Sequence, residues 1–438
     1  MKALLPLLIL LGAWTNARQM NAAVATNAVV VTAGFLKALA EEARTNAPAL
    51  RAERSRVEAA RAHAAAVRTW EDPVFTFGGV TARRSIRADD GDLILRVEQK
   101  LPLFGKPAAA RRAAESEVVT QQVAETVAFQ RLQLEIAKQA YKTALADRAV
   151  ELAQEDAAWL DALALLAEQQ FLIGKISRVD VLKAQTERAR RTEQILTEKE
   201  RRAHERVVLN RLLNRDFAFA WPRLELPALA GPIGHDSRLT DLALGFEPQL
   251  RLLRREVEAG LAAAEVTRLK RLPEFGVGIE GRAFTGNGEF RQGMVFFNMN
   301  LPFWNLDKYR AEHARDLAKV RASEHAIAES RLHVAKEVHE IVTTLAAARR
   351  EALLQRDQVL PRAALAISSA RIAWETERGM FRDVLEARRM LIEGHLMYAR
   401  AVAEQHTLLA QLSLVCGETD AEALQQKLGE SGDIPAKP

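Results

Sequence analysis

The chain has 438 residues, and its 62 Lys and Arg against 57 Asp and Glu leave a net charge of +5. Mixed charge without a basic run interleaved with aromatics argues against a nucleic-acid surface. Only 6% of residues are aromatic, while Ala, Leu, Arg and Glu dominate, a composition of long packed helices rather than of a compact enzyme core.

In chain order, Lys2 and the apolar stretch Ala3 to Ala13 read as a secretory signal, too short to span a bilayer as a helix. The small residues Ala23-Val-Ala25 place cleavage before Thr26, so residues 1–25 are expected to be a signal peptide, with Ala17 the alternative site. The sole cysteine, Cys416, excludes an intrachain disulfide, and no lipid anchor is expected. No later segment has 18 consecutive apolar residues. If this exported chain crosses a membrane it must do so as a closed β-barrel, because lipid leaves no backbone group unpaired without penalty.

Residues 26–215 form a first unit of structure. An Ala-rich helix over Thr32 to Thr69 is ended by Pro73. A hairpin over about 74–101 follows, with Phe75, Phe77 and Gly79 on one face, a turn at Ala88 to Asp92, and Leu93, Leu95 and Val97 alternating with Ile94, Arg96 and Glu98. From Pro107 to about Leu172 the pattern is helical for on the order of 100 Å, then breaks at a turn over 174–177 and resumes. Residues 216–237, with Pro222, Pro227, Gly231 and Pro232, read as a linker.

Residues 238–416 repeat the order. Phe275, Val277 and Ile279 alternate with Gly276, Gly278 and Glu280; Thr285 to Glu289 is the turn; Val295, Phe297, Met299 and Leu301 alternate with Phe296, Asn298 and Asn300. This second hairpin covers about 274–301. Leu306 to Ala373 is the matching long helix, with Val320, Ile327, Val334 and Ile341 at heptad spacing and a kink expected at Pro361. A second turn falls at 377–380, and residues 417–438 are polar and expected to be disordered.

The repetition is literal. Pro73 and Leu101-Pro102 recur as Pro273 and Leu301-Pro302, and Phe171-Leu-Ile-Gly174 with Asp180-Val-Leu182-Lys-Ala184 recurs as Trp374-Glu-Thr-Glu377 with Asp383-Val-Leu385-Glu-Ala387. Alternation with one apolar face suits a water-filled barrel, or an ordinary hairpin with one buried face. Four strands cannot close a barrel of useful width, so either several chains share one barrel or there is none.

These paired segments resemble the TolC family of outer-membrane efflux channels, through the aromatic, the glycine three residues on and Asp-Val-Leu-x-Ala at the tight turn between coiled helices. The resemblance covers roughly residues 33–417, and the general look, especially from Pro361 to Leu391, is nearest to the heavy-metal (cobalt–zinc–cadmium) efflux branch. The resemblance implies a mainly α fold with β, internally duplicated. Long coiled helices would form a periplasmic α-barrel, and each protomer of a homotrimer would add four strands to a 12-strand outer-membrane β-barrel. It implies passive exit of solutes from the periplasm, with a periplasmic adaptor, an inner-membrane resistance-nodulation-division pump and outer-membrane lipid as partners. The channel would be no enzyme, would need no cofactor and would bind no nucleic acid. The substrate, heavy-metal cations on this reading, stays open to drug or protein export. A periplasmic coiled-coil scaffold or adaptor remains the rival.

Carried onto this sequence, the family's pore constriction falls at Asp383 and Glu386, where copies of each would stack carboxylate rings that favour cations; Asp383 also suits capping of the last helix. The closed-state gate contact falls at Asp180 and Trp374, whose indole N–H can donate to a carboxylate; simple packing of Trp374 is equally open. Adaptor docking falls at the tips, Gly174, Lys175, Arg378 and Gly379. Glu377 replaces the usual second glycine, so that turn is expected to differ. The family's gate arginine falls at Gly379, leaving Arg378 or Arg382 as substitutes, with Arg382 expected to point between helices. His333 and His339 are six apart, the other histidines are scattered, and no metal site is expected. No nucleophile motif or phosphate loop points to catalysis.

Overall fold

A computed structural model describes residues 28–80, 92–284, 288–418, 423–424 and 426–427. The expected signal peptide and the Ala88 to Asp92 turn, up to its last residue, lie outside the described residues, as does the Thr285–Asn287 part of the second turn. In chain order the elements are β1 (Val29–Val30), α1 (Ala33–Asn46), α2 (Pro48–Ala66), β2 (Val74–Val80), β3 (Asp92–Lys100), α3 (Lys106–Leu172), α4 (Arg178–Leu213), β4 (Leu224–Glu225), α5 (Ser237–Phe246) and α6 (Pro248–Leu269). Then come β5 (Glu274–Phe284), β6 (Phe290–Asn300), a 3₁₀ turn (Pro302–Asn305), α7 (Leu306–Leu354), a π-helical turn (Gln355–Val359), α8 (Leu360–Glu375) and α9 (Phe381–Val415).

Two compact units share these elements: Ala52–Ala128 with Pro248–Leu332, and the remainder, which includes Phe129–Glu247 and the chain from His333 onward. The first unit contains an antiparallel sheet in the order β2-β3-β5-β6. Its register sets Phe75, Val97, Ile279 and Val295 in one row across the four strands. Neighbouring positions alternate faces, so the next row, Thr76, Arg96, Glu280 and Met294, lies on the other side.

One register shift breaks this parity. Ala283 pairs with Phe290, which leaves Arg291 as the extra residue of a bulge. Phe290 thereby joins the apolar face despite its even number, and it is exposed there. Sequence alternation alone did not reveal this, because a bulge shifts the period without any required residue type.

The second unit is helical and owes its order to polar anchors as much as to apolar ones. Val31, Leu39, Ile136, Ala140, Tyr141, Leu209, Trp221 and Leu224 form one core. The linker read from its prolines is seated on this core. β4 pairs in parallel with β1, and the backbone N–H of Leu224 donates to the buried carboxylate of Asp147 at 2.9 Å. The Trp221 indole donates to Asn210 at 2.6 Å. The amide of Gln405 brackets Ala230, accepting from its N–H and donating to its carbonyl. Burial pushes the Tyr141 hydroxyl up to about 12, and burial likewise lowers the affinity of His406 for a proton, its ring bonded to the Ala228 carbonyl at 2.7 Å.

Pro361 sits just after the π-turn, where Leu360 N–H reaches back to the Gln355 carbonyl. A proline ring crowds the carbonyl four residues back and offers it no N–H, and a widened turn relieves both. Part of the expected disordered tail is ordered: Leu424 is buried and Lys427 stacks over Phe246, an apolar anchor that polar composition conceals.

Candidate functional site: the helix tips and the sheet faces

The two tips are built alike. α3 ends with the N–H of Gly174 on the Phe171 carbonyl and that of Lys175 on the Gln170 carbonyl, both at 2.9 Å. α8 ends with Glu377 on Trp374 at 3.1 Å and Arg378 on Ala373 at 2.8 Å, the same pattern 203 residues on. Such a close needs one residue in left-handed geometry. Gly174 supplies it at φ +78°, and Glu377 supplies it at φ +60°. The expectation of a different second turn is therefore corrected, since the backbone bonds hold Glu377 where glycine would sit more easily. Glu377→Gly should stabilise this helical unit by about 0.5–1 kcal/mol, the left-handed strain less the extra freedom glycine gives the unfolded chain. Chemical denaturation of the two proteins, monitored by helical circular dichroism, checks this.

Each next helix starts differently. Ser177 caps α4, accepting from the Asp180 N–H at 3.3 Å and donating to the Asp180 carboxylate at 2.9 Å, whereas Met380 at the same place in the second tip has no side-chain cap. Gly174, Lys175 and Arg378 are exposed, and Gly379 is half-buried against Ala373. Leu172, Ile173 and Met380 are exposed beside them.

Within the protomer, Asp180 and Trp374 are not hydrogen-bonded to each other. The Asp180 carboxylate is engaged by Ser177 and lies 3.6 Å from the Lys183 ammonium. Trp374, only 3% exposed, packs with Leu160, Leu163, Ala167, Ala184, Phe381 and Val384, its ring 5.3 Å from that of Phe381. Asp383 and Glu386, by contrast, are brought together. Phe381, Val384 and Ala387 bury one side of α9, which leaves the two acids exposed on another. Arg382 does not tuck between helices; it is exposed, 3.9 Å from Asp383.

Below the tip lies a group that sequence reading missed. Asp156 of α3 is 1% exposed and sits between Arg191 of α4 at 2.5 Å and Arg388 of α9 at 2.7 Å. The Arg388 guanidinium also lies 4.9 Å over the Trp159 ring. One carboxylate thus ties three helices together.

The two faces of the sheet differ in chemistry. On one, Phe75, Phe77, Ile279, Val295 and Phe297 are exposed, Phe297 by 81%. On the other, Glu280 is buried under Arg96 at 2.6 Å and Arg282 at 2.8 Å. Phe296 lies on this polar face in the space that Gly278 leaves: a Cβ there would fall 2.2 Å from the ring. The Arg96 guanidinium stacks 4.5 Å above it, which keeps the ring flat against the strands.

Comparison with known proteins matches this arrangement. The model of the outer membrane efflux protein family fits residues 39–215 and 239–418. The chain belongs to that family. This outer membrane efflux protein is 23% identical over 342 residues to the cobalt-zinc-cadmium resistance protein CzcC of Cupriavidus metallidurans, which covers 76% of this chain and 78% of the relative. Its fold is shared with the outer-membrane channel OprN, at a TM-score of 0.74 and 18% identity over 87% of this chain and 89% of that one. CusC aligns at 0.76 with 16% identity over 90% and 96%. VceC from Vibrio cholerae aligns at 0.73 with 18% identity over 88% and 96%. No helix long and apolar enough to cross a membrane occurs among the described residues. The protein's duplicated, mainly helical fold with a four-stranded and a two-stranded sheet is the channel fold.

Proposed function

We propose that this chain is one protomer of a homotrimeric channel that gives heavy-metal cations passive exit through the outer membrane. In this reading it docks by its helix tips with a periplasmic adaptor and an inner-membrane resistance-nodulation-division pump. The observation that carries the reading is the sheet: four antiparallel strands with an exposed apolar face, a polar opposite face and two outer strands, β2 and β6, without a further partner among the described residues. Unpaired edges are excluded from lipid, so the edges of one copy must meet those of others, and three copies supply twelve strands. The name of the relative CzcC supports metal cations as the cargo.

In the trimer, Asp383 and Glu386 line the constriction, and their carboxylates make it cation-selective. Heat-modifiable trimers should appear in outer-membrane fractions. In planar bilayers the trimer should prefer cations and be partly blocked by multivalent cations from the helical side. Asp383→Ala with Glu386→Ala should weaken both effects several-fold and leave the trimers intact. Unchanged selectivity and block would place the aperture elsewhere. Crosslinkers at Lys175 or Arg378 should capture the adaptor in cells, and gene deletion should raise metal sensitivity.

A further inference from the structure

We propose that the rim of the sheet nearest α3 and α7 is a binding collar for anionic phospholipid headgroups. This rests on the reading of the sheet as a membrane barrel. All four strands have one end at this rim: β2 begins and β3 ends there, β5 begins and β6 ends there. The segments just beyond carry large exposed aromatics. Trp70 precedes β2, Phe104 follows β3, and Trp304, 81% exposed, follows β6. The Phe104 ring lies 6.0 Å from that of Phe275 on the apolar face, and indole rings favour the boundary between acyl chains and headgroups because one end is apolar and the other a hydrogen-bond donor.

The charges at the rim are sorted in a telling way. Glu71, Glu274, Asp307 and Glu312 are each held by a basic side chain: Lys100 at 2.8 Å, Lys106 at 3.2 Å, Arg310 at 3.3 Å and Lys270 at 3.5 Å. Arg68, Arg271 and Lys308 are exposed and have no acidic partner among the described residues, the Lys308 ammonium lying only 5.7 Å from the Tyr309 ring. Against these three cations stand two acids without a basic partner among the described residues, Asp72 and Glu98, the latter level with the first residue of β2 and accepting from the Asn298 amide. Ion pairs inside the chain therefore consume most of the negative charge and leave a small surplus of positive charge beside the aromatic band. A phosphate headgroup without a compensating amine complements that surplus, and each cation held near such a surface raises the affinity roughly fivefold, an effect that salt screens.

The test uses the two rim tryptophans as reporters. The full-length protein is reconstituted into phosphatidylcholine vesicles, and brominated phosphatidylglycerol or brominated phosphatidylcholine is titrated in to quench tryptophan fluorescence. The wild type should favour the anionic lipid, by on the order of fivefold per engaged cation at low salt, and the preference should shrink as salt rises. The variant Arg68→Gln, Arg271→Gln, Lys308→Gln should lose the preference, yet be quenched by the zwitterionic lipid as before, which shows it folded and inserted. Equal quenching of the wild type by both lipids, or a preference unchanged in the variant, overturns the collar. Absence of quenching by either lipid would instead overturn the barrel reading beneath it.

Discussion

Asp156→Asn is expected to destabilise the helical unit by about 3–5 kcal/mol, because it removes the one carboxylate that, among the described residues, pairs with two largely buried guanidiniums. Arg191 of α4 and Arg388 of α9 both end on this carboxylate, and their side chains are 18% and 14% exposed. An amide of the same shape fills the space but leaves two cations in a poor dielectric. Chemical denaturation followed by helical circular dichroism measures the loss, and limited proteolysis at the tips should show earlier cleavage after Lys175 and Arg378. The triple variant Asp156→Leu, Arg191→Met, Arg388→Met should recover much of the stability, since an apolar replacement of a whole buried ion group is often neutral or better. A change of less than about 0.5 kcal/mol in the single variant, the level of an exposed pair, would show that water reaches the group freely.

The same triad explains how the tip is presented. Arg388 lies two residues beyond Glu386 on α9, and its bond to Asp156 fixes the rotation of that helix. Phe381, Val384 and Ala387 fix it further by packing inward, so Asp383 and Glu386 face solvent as a consequence of two independent constraints. Loosening the triad should therefore weaken the proposed ion selectivity even though Asp156 lies away from the aperture.

Much of this architecture was legible because it is punctuated. Pro73, Leu101-Pro102, Pro273 and Leu301-Pro302 bracket the strands, alternation marks their faces, and the tips repeat at 203 residues. What escaped reading has a common cause: it depends on contacts distant in sequence. β1 and β4 are two residues each, too short for any period, and exist because Asp147 and the core hold Leu224 in place. Asp156 could have been found. Leu152, Ala153, Leu160, Leu163 and Ala167 mark the buried stripe of α3, and Asp156 falls on that stripe at helical spacing, where an acid must have a partner. Asp383 and Glu386 were marked by motif, and their shared exposed face follows from the spacing of three residues. The Asp180–Trp374 contact followed from the resemblance alone, and within one protomer both side chains are occupied otherwise.

Val295→Arg should abolish the assembled trimer. Val295 is the central residue of β6 and shares a row with Ile279, Val97 and Phe75, all exposed on the apolar face. A charge at mid-depth in a membrane strand costs about 2–4 kcal/mol, and the symmetry of a trimer repeats that cost three times around one barrel. Phe297→Arg, closer to the rim, should be damaging to a lesser degree, and Met299→Arg less still, because the long side chain can bring its charge to the headgroups. Asn298→Ala, on the polar face beside Glu98, should be mild by comparison. Gel mobility of unboiled outer-membrane samples reads the series directly as the fraction of heat-modifiable trimer. The order Val295, then Phe297, then Met299 is the signature of depth in a bilayer. A soluble sheet covered by protein would also reject Val295→Arg, but it would reject Met299→Arg as strongly wherever the covering extended, and equal tolerance on both faces would remove the hairpins from the membrane altogether.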